Sequence, residues 1–177
     1  MRFLFRIVAV ASSLMVATTT HAQIVRWAEN APGATQKWVD GNLVKTIDSG
    51  AMEVTATLRD VPNKMFMSVI GVTNRSGKVA DVVPFTFTVQ IMDPVGPQRQ
   101  ALAPERALLN WTDGTGRTEQ FNQTISQFAL RANSVNPNAS ISGGVWFPRD
   151  KDKFREVLIR IPLAGMVYEF PFYFQVR

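Results

Sequence analysis

The residue types that most often carry catalysis are almost absent from this 177-residue chain. It contains no cysteine, and its single histidine is His21. Serine- and cysteine-dependent hydrolysis needs an imidazole to take the proton from the nucleophile, and zinc and copper sites use imidazole and thiolate ligands. No Ser-x-x-Lys sequence offers a serine–lysine alternative. The sequence therefore predicts a non-enzymatic protein without catalytic residues, metal site or cofactor.

The lone histidine itself falls in a segment that has the three parts of a secretory leader. A basic start precedes an almost wholly apolar stretch over 3–16, and a small residue follows at 22. The apolar stretch is shorter than the roughly 20 residues that span a bilayer, so an uncleaved anchor is the weaker alternative. We predict a signal peptide over 1–22 and a periplasmic or extracellular domain over 23–177, with no membrane span after cleavage.

Loss of the leader also changes the charge of the protein. Of the 19 Lys and Arg side chains, Arg2 and Arg6 leave with it, and the remaining 17 face 14 acidic side chains, a net charge of +3. A charge this mild does not indicate nucleic acid as a partner, and neither does export. Without cysteine there is no disulfide to hold the fold in an oxidising compartment, so one buried core must do so.

Two tryptophans are candidates for binding a partner. An exposed indole with Arg and Asn nearby can bind a glycan or another protein, and Trp111 and Trp146 have such neighbours. Trp146 alternates with Val145 and Phe147, which places it on the outer face of a sheet or under a helix. Burial is the favoured interpretation of Trp146.

A charged loop supplies the remaining candidate residues. Arg149, Lys151 and Lys153 alternate with Asp150 and Asp152. The basic members could meet an acidic partner surface, although a solvated hairpin tip is the commoner role of such a loop. Asp150 and Asp152 could serve as a carboxylate pair for glycoside hydrolysis, with the solvated hairpin tip again as the favoured interpretation.

The elements that must position these residues are mostly strands. Apolar side chains alternate with polar ones over 52–58, 82–92 and 166–176, and 64–73 is apolar on both faces, as in a central strand. Residues 118–130 carry apolar side chains at helical spacing and predict one short helix. Seven or so strands in one domain favour a β-sandwich, with a small β-barrel as the main competitor.

Two stretches of the chain resemble secreted bacterial immunoglobulin-like domains of unassigned function. The first runs from Met67 through Thr73-Asn74-Arg75-Ser76 to Pro84, and the second covers Asn133 to Phe147 and Val157 to Phe172. The resemblance implies an immunoglobulin-like β-sandwich of about seven strands and an exported location. It brings no catalytic motif, and the chain lacks the cysteine of lipid-anchored members.

We therefore expect an exported, non-enzymatic module that binds a protein or a cell-envelope component through its edge strands and outer sheet face. A glycan-binding or carboxylate-dependent hydrolytic domain, built on the tryptophans and carboxylates, is one alternative. A purely structural envelope protein is another. The sequence leaves the oligomeric state open.

Overall fold

A five-stranded sheet and a six-stranded sheet form the body of the protein. The computed structural model describes residues 22–61, 63–111 and 118–175, without the side chains at 109–111, 118–121 and 124. The first sheet has the order β1-β13-β12-β8-β9. Its strands are β1 (Gln23–Arg26), β8 (Thr88–Asp93), β9 (Val95–Gln100), β12 (Glu156–Leu163) and β13 (Met166–Tyr173).

The second sheet has the order β11-β6-β4-β3-β2. Its strands are β2 (Ala34–Val39), β3 (Asn42–Asp48), β4 (Met52–Ala56), β6 (Met65–Asn74) and β11 (Ser140–Pro148). The short β5 (Arg59–Val61) pairs with β6, and β7 (Ala80–Val82) pairs with β10 (Asn133–Val135) in a small separate sheet. A 3-10 turn (Pro84–Thr86) and two helices, α1 (Pro104–Trp111) and α2 (Thr118–Phe128), complete the elements.

The connections between the sheets follow the immunoglobulin pattern. β6 and β11 pair in the second sheet, whereas β12 lies between β8 and β13 in the first. The chain crosses between the sheets from β6 to β8 and again from β11 to β12, as it does between strands B and C and between E and F of an immunoglobulin domain. The prediction of a mainly β, immunoglobulin-like sandwich is confirmed. The two helices stand between β9 and β11, where that fold has its D strand.

The core lies between the inner faces of the two sheets, because alternate residues of each strand point inward. Its side chains replace the disulfide that many exported domains use. The fully buried aromatic members are Phe66, Phe87, Phe147, Tyr168 and Phe170.

The sequence pattern underestimated the number of elements. Thirteen strands and two helices occur among the described residues, rather than seven strands and one helix. Residues 29–41 are rich in Pro, Gly, Ala and polar residues and predict an irregular lead-in, but they contain β2. Asp93-Pro94 predicts a break after residue 92, and the structure has a tight turn there that leads into β9. The alternation over 82–92 predicts Phe85 on the same buried face as Phe87, but Pro84 starts a 3-10 turn there and leaves Phe85 64% exposed.

Asn74 shows why the Thr-Asn-x-Ser motif occurs at the end of β6. The residue is fully buried, and its Nδ2 donates to the carbonyl oxygens of Lys78 and Val135. Its Oδ1 accepts from the backbone N–H and the hydroxyl of Ser76. The motif therefore closes the turn after β6 and ties that turn to β10, which is a structural role.

Two glycines in β11 let the helical insert approach the sheet. A Cβ added at Gly143 would lie 2.7 Å from the backbone nitrogen of Leu130, and one at Gly144 would lie 2.9 Å from the ring of Phe128. Register with β6 is unbroken across both positions, so they form no bulge. The Leu130 N–H donates to the carbonyl oxygen of Gly144 at 2.9 Å, which docks the end of α2 on the free edge of β11.

We predict that Gly143→Ala lowers the free energy of unfolding by about 1–3 kcal/mol, because the backbone at Leu130 would have to move. Urea denaturation monitored by circular dichroism measures this change. Gly77→Ala is the matched control, since a Cβ there meets no atom within 4 Å, and its effect should stay within about 0.5 kcal/mol. Equal effects of the two substitutions would contradict the close-packing role.

Candidate functional site

The two predicted tryptophans lie in the same part of the fold. Trp111 ends α1, and its side chain is outside the described part of the molecule. Trp146 is only 1% exposed and packs against Ala107 of α1 and Ile125 of α2. Its neighbours in β11, Val145 and Phe147, face the main core instead. A buried Trp146 cannot offer its ring face to a sugar, so it does not form a glycan platform.

The predicted basic residues lie in the loop after β11, and two of them hold the loop in place. Arg149 is mostly buried and lies 3.1 Å from a carboxylate oxygen of Asp60 and 3.4 Å from one of Asp152. Lys151 donates to the carbonyl oxygens of Pro94 and Val95 at 3.1 and 2.8 Å. These contacts fix the loop against β5 and β9.

The other charged side chains of this region differ in whether they form ion pairs. Lys153 is exposed and forms no ion pair within the described ranges. Asp150 pairs with Arg99 of β9 at 2.7 Å. Burial raises the pKa of Asp60, and the nearby Arg149 guanidinium opposes that shift. The structure therefore places Arg149 and Lys151 in internal contacts and leaves Lys153 as the basic side chain open to solvent.

A groove lies along the free edge of β11, next to Trp146. It has a volume of about 240 Å³ and is bounded by the 3-10 turn, residues 102–105 and residues 130–132. Most of its lining is apolar, including the exposed Phe85, and Glu105 and Arg131 supply the charges. The indole Nε1 of Trp146 is buried and has no hydrogen-bond partner among the residues that the structure describes.

A second unusual group is Lys45, a buried cation on the inner face of β3. The residue is 3% exposed, and its Nζ donates to the carbonyl oxygen of Pro171 at 2.6 Å. The same nitrogen lies 3.6 Å from the ring centroid of Trp27 and 5.4 and 5.6 Å from those of Phe172 and Tyr173. Cation–π attraction and the carbonyl hydrogen bond offset part of the free-energy cost of removing the ammonium group from water.

The position of Lys45 follows from the end of β1. β1 covers β13 as far as Glu169, whose carbonyl oxygen accepts from the Trp27 N–H at 2.8 Å. Beyond that point β13 becomes an edge, and the carbonyl of Pro171 faces the vacated side. Lys45, which lies on the opposite sheet, donates a hydrogen bond to this carbonyl oxygen. This role of Lys45 was not predicted from the sequence, although Lys45 lies two residues before the inward-facing Ile47 in β3.

The hairpin of β2 and β3 contains an edge strand, β2, that is open along its length. Asp40 and Gly41 form its two-residue turn with φ values of 48° and 73°, the positive values that such a turn requires. All six residues of β2 pair in regular register with β3, starting from Val39 and Asn42. In a two-residue hairpin the pair that flanks the turn is hydrogen-bonded, and bonded and non-bonded pairs then alternate.

This alternation leaves Gln36 and Trp38 with their backbone N–H and C=O groups facing away from β3. The Asp48 N–H donates to the carbonyl oxygen of Gly33 at 2.8 Å, as the same alternation of bonded and non-bonded pairs requires. No hydrogen bond from the outward backbone groups of Gln36 and Trp38 to another described residue is found. The Trp38 side chain is 74% exposed, so the open edge also carries an apolar contact.

By contrast, both edges of the first sheet are protected against pairing with a further strand. β1 is only four residues long. β9 contains Pro97 and an irregular register with β8, and Lys151 covers its first carbonyl groups. Short length, proline and lysine are the common means by which proteins prevent edge-to-edge pairing.

The other edge of the second sheet, β11, is covered by the chain itself. The Leu102 N–H donates to the carbonyl oxygen of Trp146 at 2.8 Å, next to the bond between Leu130 and Gly144. Of the four edges of the two large sheets, β2 is thus the long, regular and uncovered one in the described ranges. Lys37 is its single charged side chain.

Two further features bear on location and chemistry. No helix among the residues that the structure describes is long and apolar enough to cross a membrane. The predicted signal peptide lies almost wholly outside those residues. In the same described ranges, no three Asp, Glu, His or Cys side chains are grouped so as to hold a metal ion.

Comparison with known proteins places the chain in no family. No family model matches the sequence, and no curated protein matches it. Among solved structures it is similar to the yjhA protein from Bacillus subtilis, with 8% identity over 64% of this chain and 75% of that one, at a TM-score of 0.41. It is also similar to ycdA from Bacillus subtilis subsp. subtilis str. 168, with 17% identity over 78% and 38%, at a TM-score of 0.43. Likeness of this extent carries no conclusion about function.

The burial of Lys45 predicts a specific pH dependence of stability. Burial lowers the pKa of Lys45 from 10.5 to about 8, and the Glu29 carboxylate opposes that shift. Between these two values the unfolded chain binds the proton and the folded protein does not, so folding becomes more favourable as the pH rises from 8 to 10.5. Relative to Lys45→Met, the free energy of unfolding of the wild-type protein should increase by about 2 kcal/mol between pH 8 and pH 10.5.

Urea denaturation of both proteins at several pH values gives that difference. Lys37→Met, on the exposed face of β2, is the matched control and should follow the wild-type protein. A wild-type curve parallel to that of Lys45→Met would show that the amine has the same pKa in the folded and unfolded chains.

Proposed function

We propose that the protein is an exported, non-enzymatic immunoglobulin-like module that binds an extended polypeptide segment of a protein or cell-envelope partner by strand addition along β2. The observation that carries the proposal is the open edge of β2, described above. An extended segment that pairs with Gln36 and Trp38 would satisfy their free N–H and C=O groups and continue the second sheet.

The side chains of β2 define the chemistry of that segment. Trp38 is the exposed anchor, and Val39 beside it is 40% exposed. Large aromatic side chains of this kind dominate binding energy when a partner covers them. Lys37 points to the other face and would attract an acidic side chain. The partner segment therefore has an apolar residue against Trp38 and an Asp or Glu near Lys37.

The non-enzymatic part of the proposal rests on the titratable groups. No imidazole or thiol occurs after residue 21. Several carboxylates are held in ion pairs, including Glu169 with Arg160 at 2.9 Å and Asp150 with Arg99. Asp48 and Glu53 both pair with Arg75. Carboxylates held by guanidinium groups are poorly placed for acid–base work.

Selection of displayed random heptapeptides on residues 23–177 tests the proposal. We expect the selected peptides to alternate apolar and polar residues and to include an acidic one. Trp38→Ala should weaken their binding at least tenfold, because truncation of a central aromatic contact costs about 2 kcal/mol. Phe85→Ala, at another exposed aromatic residue far from β2 in sequence, should leave the Kd unchanged.

A second pair of variants separates backbone pairing from side-chain contact. Gln36→Pro removes an outward N–H without breaking the ladder to β3, whereas Gln36→Ala keeps that N–H. The proline variant should weaken binding about tenfold and the alanine variant should not, since one hydrogen bond contributes about 1 kcal/mol. Peptides without alternation, or peptides that bind both variants equally well, would refute strand addition.

A further inference from the structure

The stretch of β2 that can accept another strand is shorter than β2 itself. Ala34 has its N–H on the outward side of the strand, and this N–H already donates to the carbonyl oxygen of Ala31 at 3.0 Å. The turn before β2 therefore covers the first part of the edge. At the other end, Asp40 has a φ of 48° and belongs to the hairpin turn. The free backbone groups are thus those of Gln36 and Trp38, on either side of Lys37.

A second copy of this chain is the nearest candidate for pairing with this stretch, because exposed strand edges tend to pair with each other. In a two-fold antiparallel pair, the central residue lies opposite the same residue of the other copy. With Lys37 at the centre, Gln36 of each copy pairs with Trp38 of the other. The outward N–H and C=O groups of both residues then all form hydrogen bonds between the copies.

Other two-fold registers need backbone groups that are not free. A centre at Gln36 pairs Trp38 with Ala34, whose N–H is already bonded within its own chain. A centre at Trp38 pairs Gln36 with Asp40, whose positive φ is not that of an extended residue. A shift by one residue sets outward groups against groups that already pair with β3. The register centred on Lys37 is therefore the one that β2 can form with a second copy.

That register brings two ammonium groups together. Opposed residues at a non-hydrogen-bonded position have Cα atoms about 4.5 Å apart and side chains on the same face, and like charges there are destabilising. Lys37 is exposed and forms no ion pair within the described ranges. Its neighbours on that face, Thr35, Val39 and Val44, carry no charge that could offset the repulsion.

We propose that Lys37 determines which strands the open edge of β2 accepts: it excludes a second copy of this chain and admits an antiparallel segment with Asp or Glu directly opposite it. This inference rests on the proposed function, because it concerns the selectivity of the same edge. A lysine is a common means of preventing self-pairing of an edge strand. Here the lysine leaves the backbone groups on both sides of it free, so an acidic segment gains an ion pair at the position where a second copy meets repulsion.

The test gives one copy of the protein the opposite charge at position 37. Nitrogen-15-labelled wild-type residues 23–177 are titrated with unlabelled Lys37→Glu, and the backbone amide signals of Gln36 and Trp38 are followed by NMR. The introduced carboxylate lies opposite Lys37 in the mixed pair. Both signals should therefore shift with a Kd about tenfold lower than in a titration with unlabelled wild-type protein. Labelled Lys37→Glu titrated with unlabelled Lys37→Glu should bind as weakly as the wild-type pair, since two carboxylates then face each other.

Two controls show that the effect belongs to position 37 and to backbone pairing. Lys153→Glu changes the net charge by the same amount at another exposed lysine, and it should bind wild-type protein no more tightly than wild-type protein does. Gln36→Pro combined with Lys37→Glu loses an outward N–H and should weaken the mixed pair about tenfold, whereas Gln36→Ala combined with Lys37→Glu should not.

The same charge reversal applies to a peptide selected on β2. An acidic peptide should bind Lys37→Glu about tenfold more weakly than wild-type protein, and replacement of its acidic residue by lysine should restore the binding.

Equal Kd values of wild-type protein for itself and for Lys37→Glu, or tighter binding of Lys153→Glu, would overturn the role of Lys37. So would selected peptides that bind wild-type protein and Lys37→Glu equally well, although strand addition itself would then stand. Failure of the proposed function has a different result, because the selection would then give no peptide that depends on Trp38 and on the N–H of Gln36.

Discussion

Backbone N–H and C=O groups at the edges of the sheets need hydrogen-bond partners, and this need explains most of the unusual features of the protein. A β-sandwich has four such edges, and each presents N–H and C=O groups that need a partner or water. β9 is protected by proline and Lys151, and β11 by Leu102 and Leu130. Where β1 ends, Lys45 reaches across from the other sheet to the carbonyl of Pro171. Among the strands of the described residues, β2 alone has a long, regular edge whose backbone groups are uncovered, which distinguishes it from the three protected edges.

Coverage of β11 also explains the groove. The chain lies on this edge at two points, the bonds to Trp146 and to Gly144, and a space remains between them. Gly143 and Gly144 permit that close approach, because any side chain would push the end of α2 away. The helical insert in place of a D strand thus creates a small apolar groove that a plain immunoglobulin sandwich lacks.

The sequence predicted the elements that carry large apolar residues at a regular spacing. Alternate aromatic residues made the strand β13 foreseeable, although residues 168–172 are all buried in the structure, and helical spacing made α2 foreseeable. Phe85 was misplaced because the 3-10 turn at Pro84 breaks the period of two. β2 was not predicted because both faces of this edge strand are exposed to solvent, so its sequence shows no alternation of apolar and polar residues.

The binding residues were harder to foresee than the fold. Trp146 was correctly favoured as buried, but its contacts depend on which residues the helices bring near it. Arg149 and Lys151 looked like a free basic patch, since their partners Asp60 and Pro94 are distant in sequence. For Lys45 the sequence contained one signal, because alternation along β3 places it on the same face as the buried Ile47. Contacts between remote segments decide such roles, and no local pattern encodes them.

Residue-resolved amide hydrogen exchange of the protein with a selected β2-binding peptide tests the central claim most directly. The amides of Gln36 and Trp38 face the open edge, whereas those of Thr35 and Lys37 already pair with β3. Strand addition predicts that the peptide slows exchange at Gln36 and Trp38 and changes Thr35 and Lys37 far less. Uniform slowing along β2, or protection confined to β9, would contradict the account.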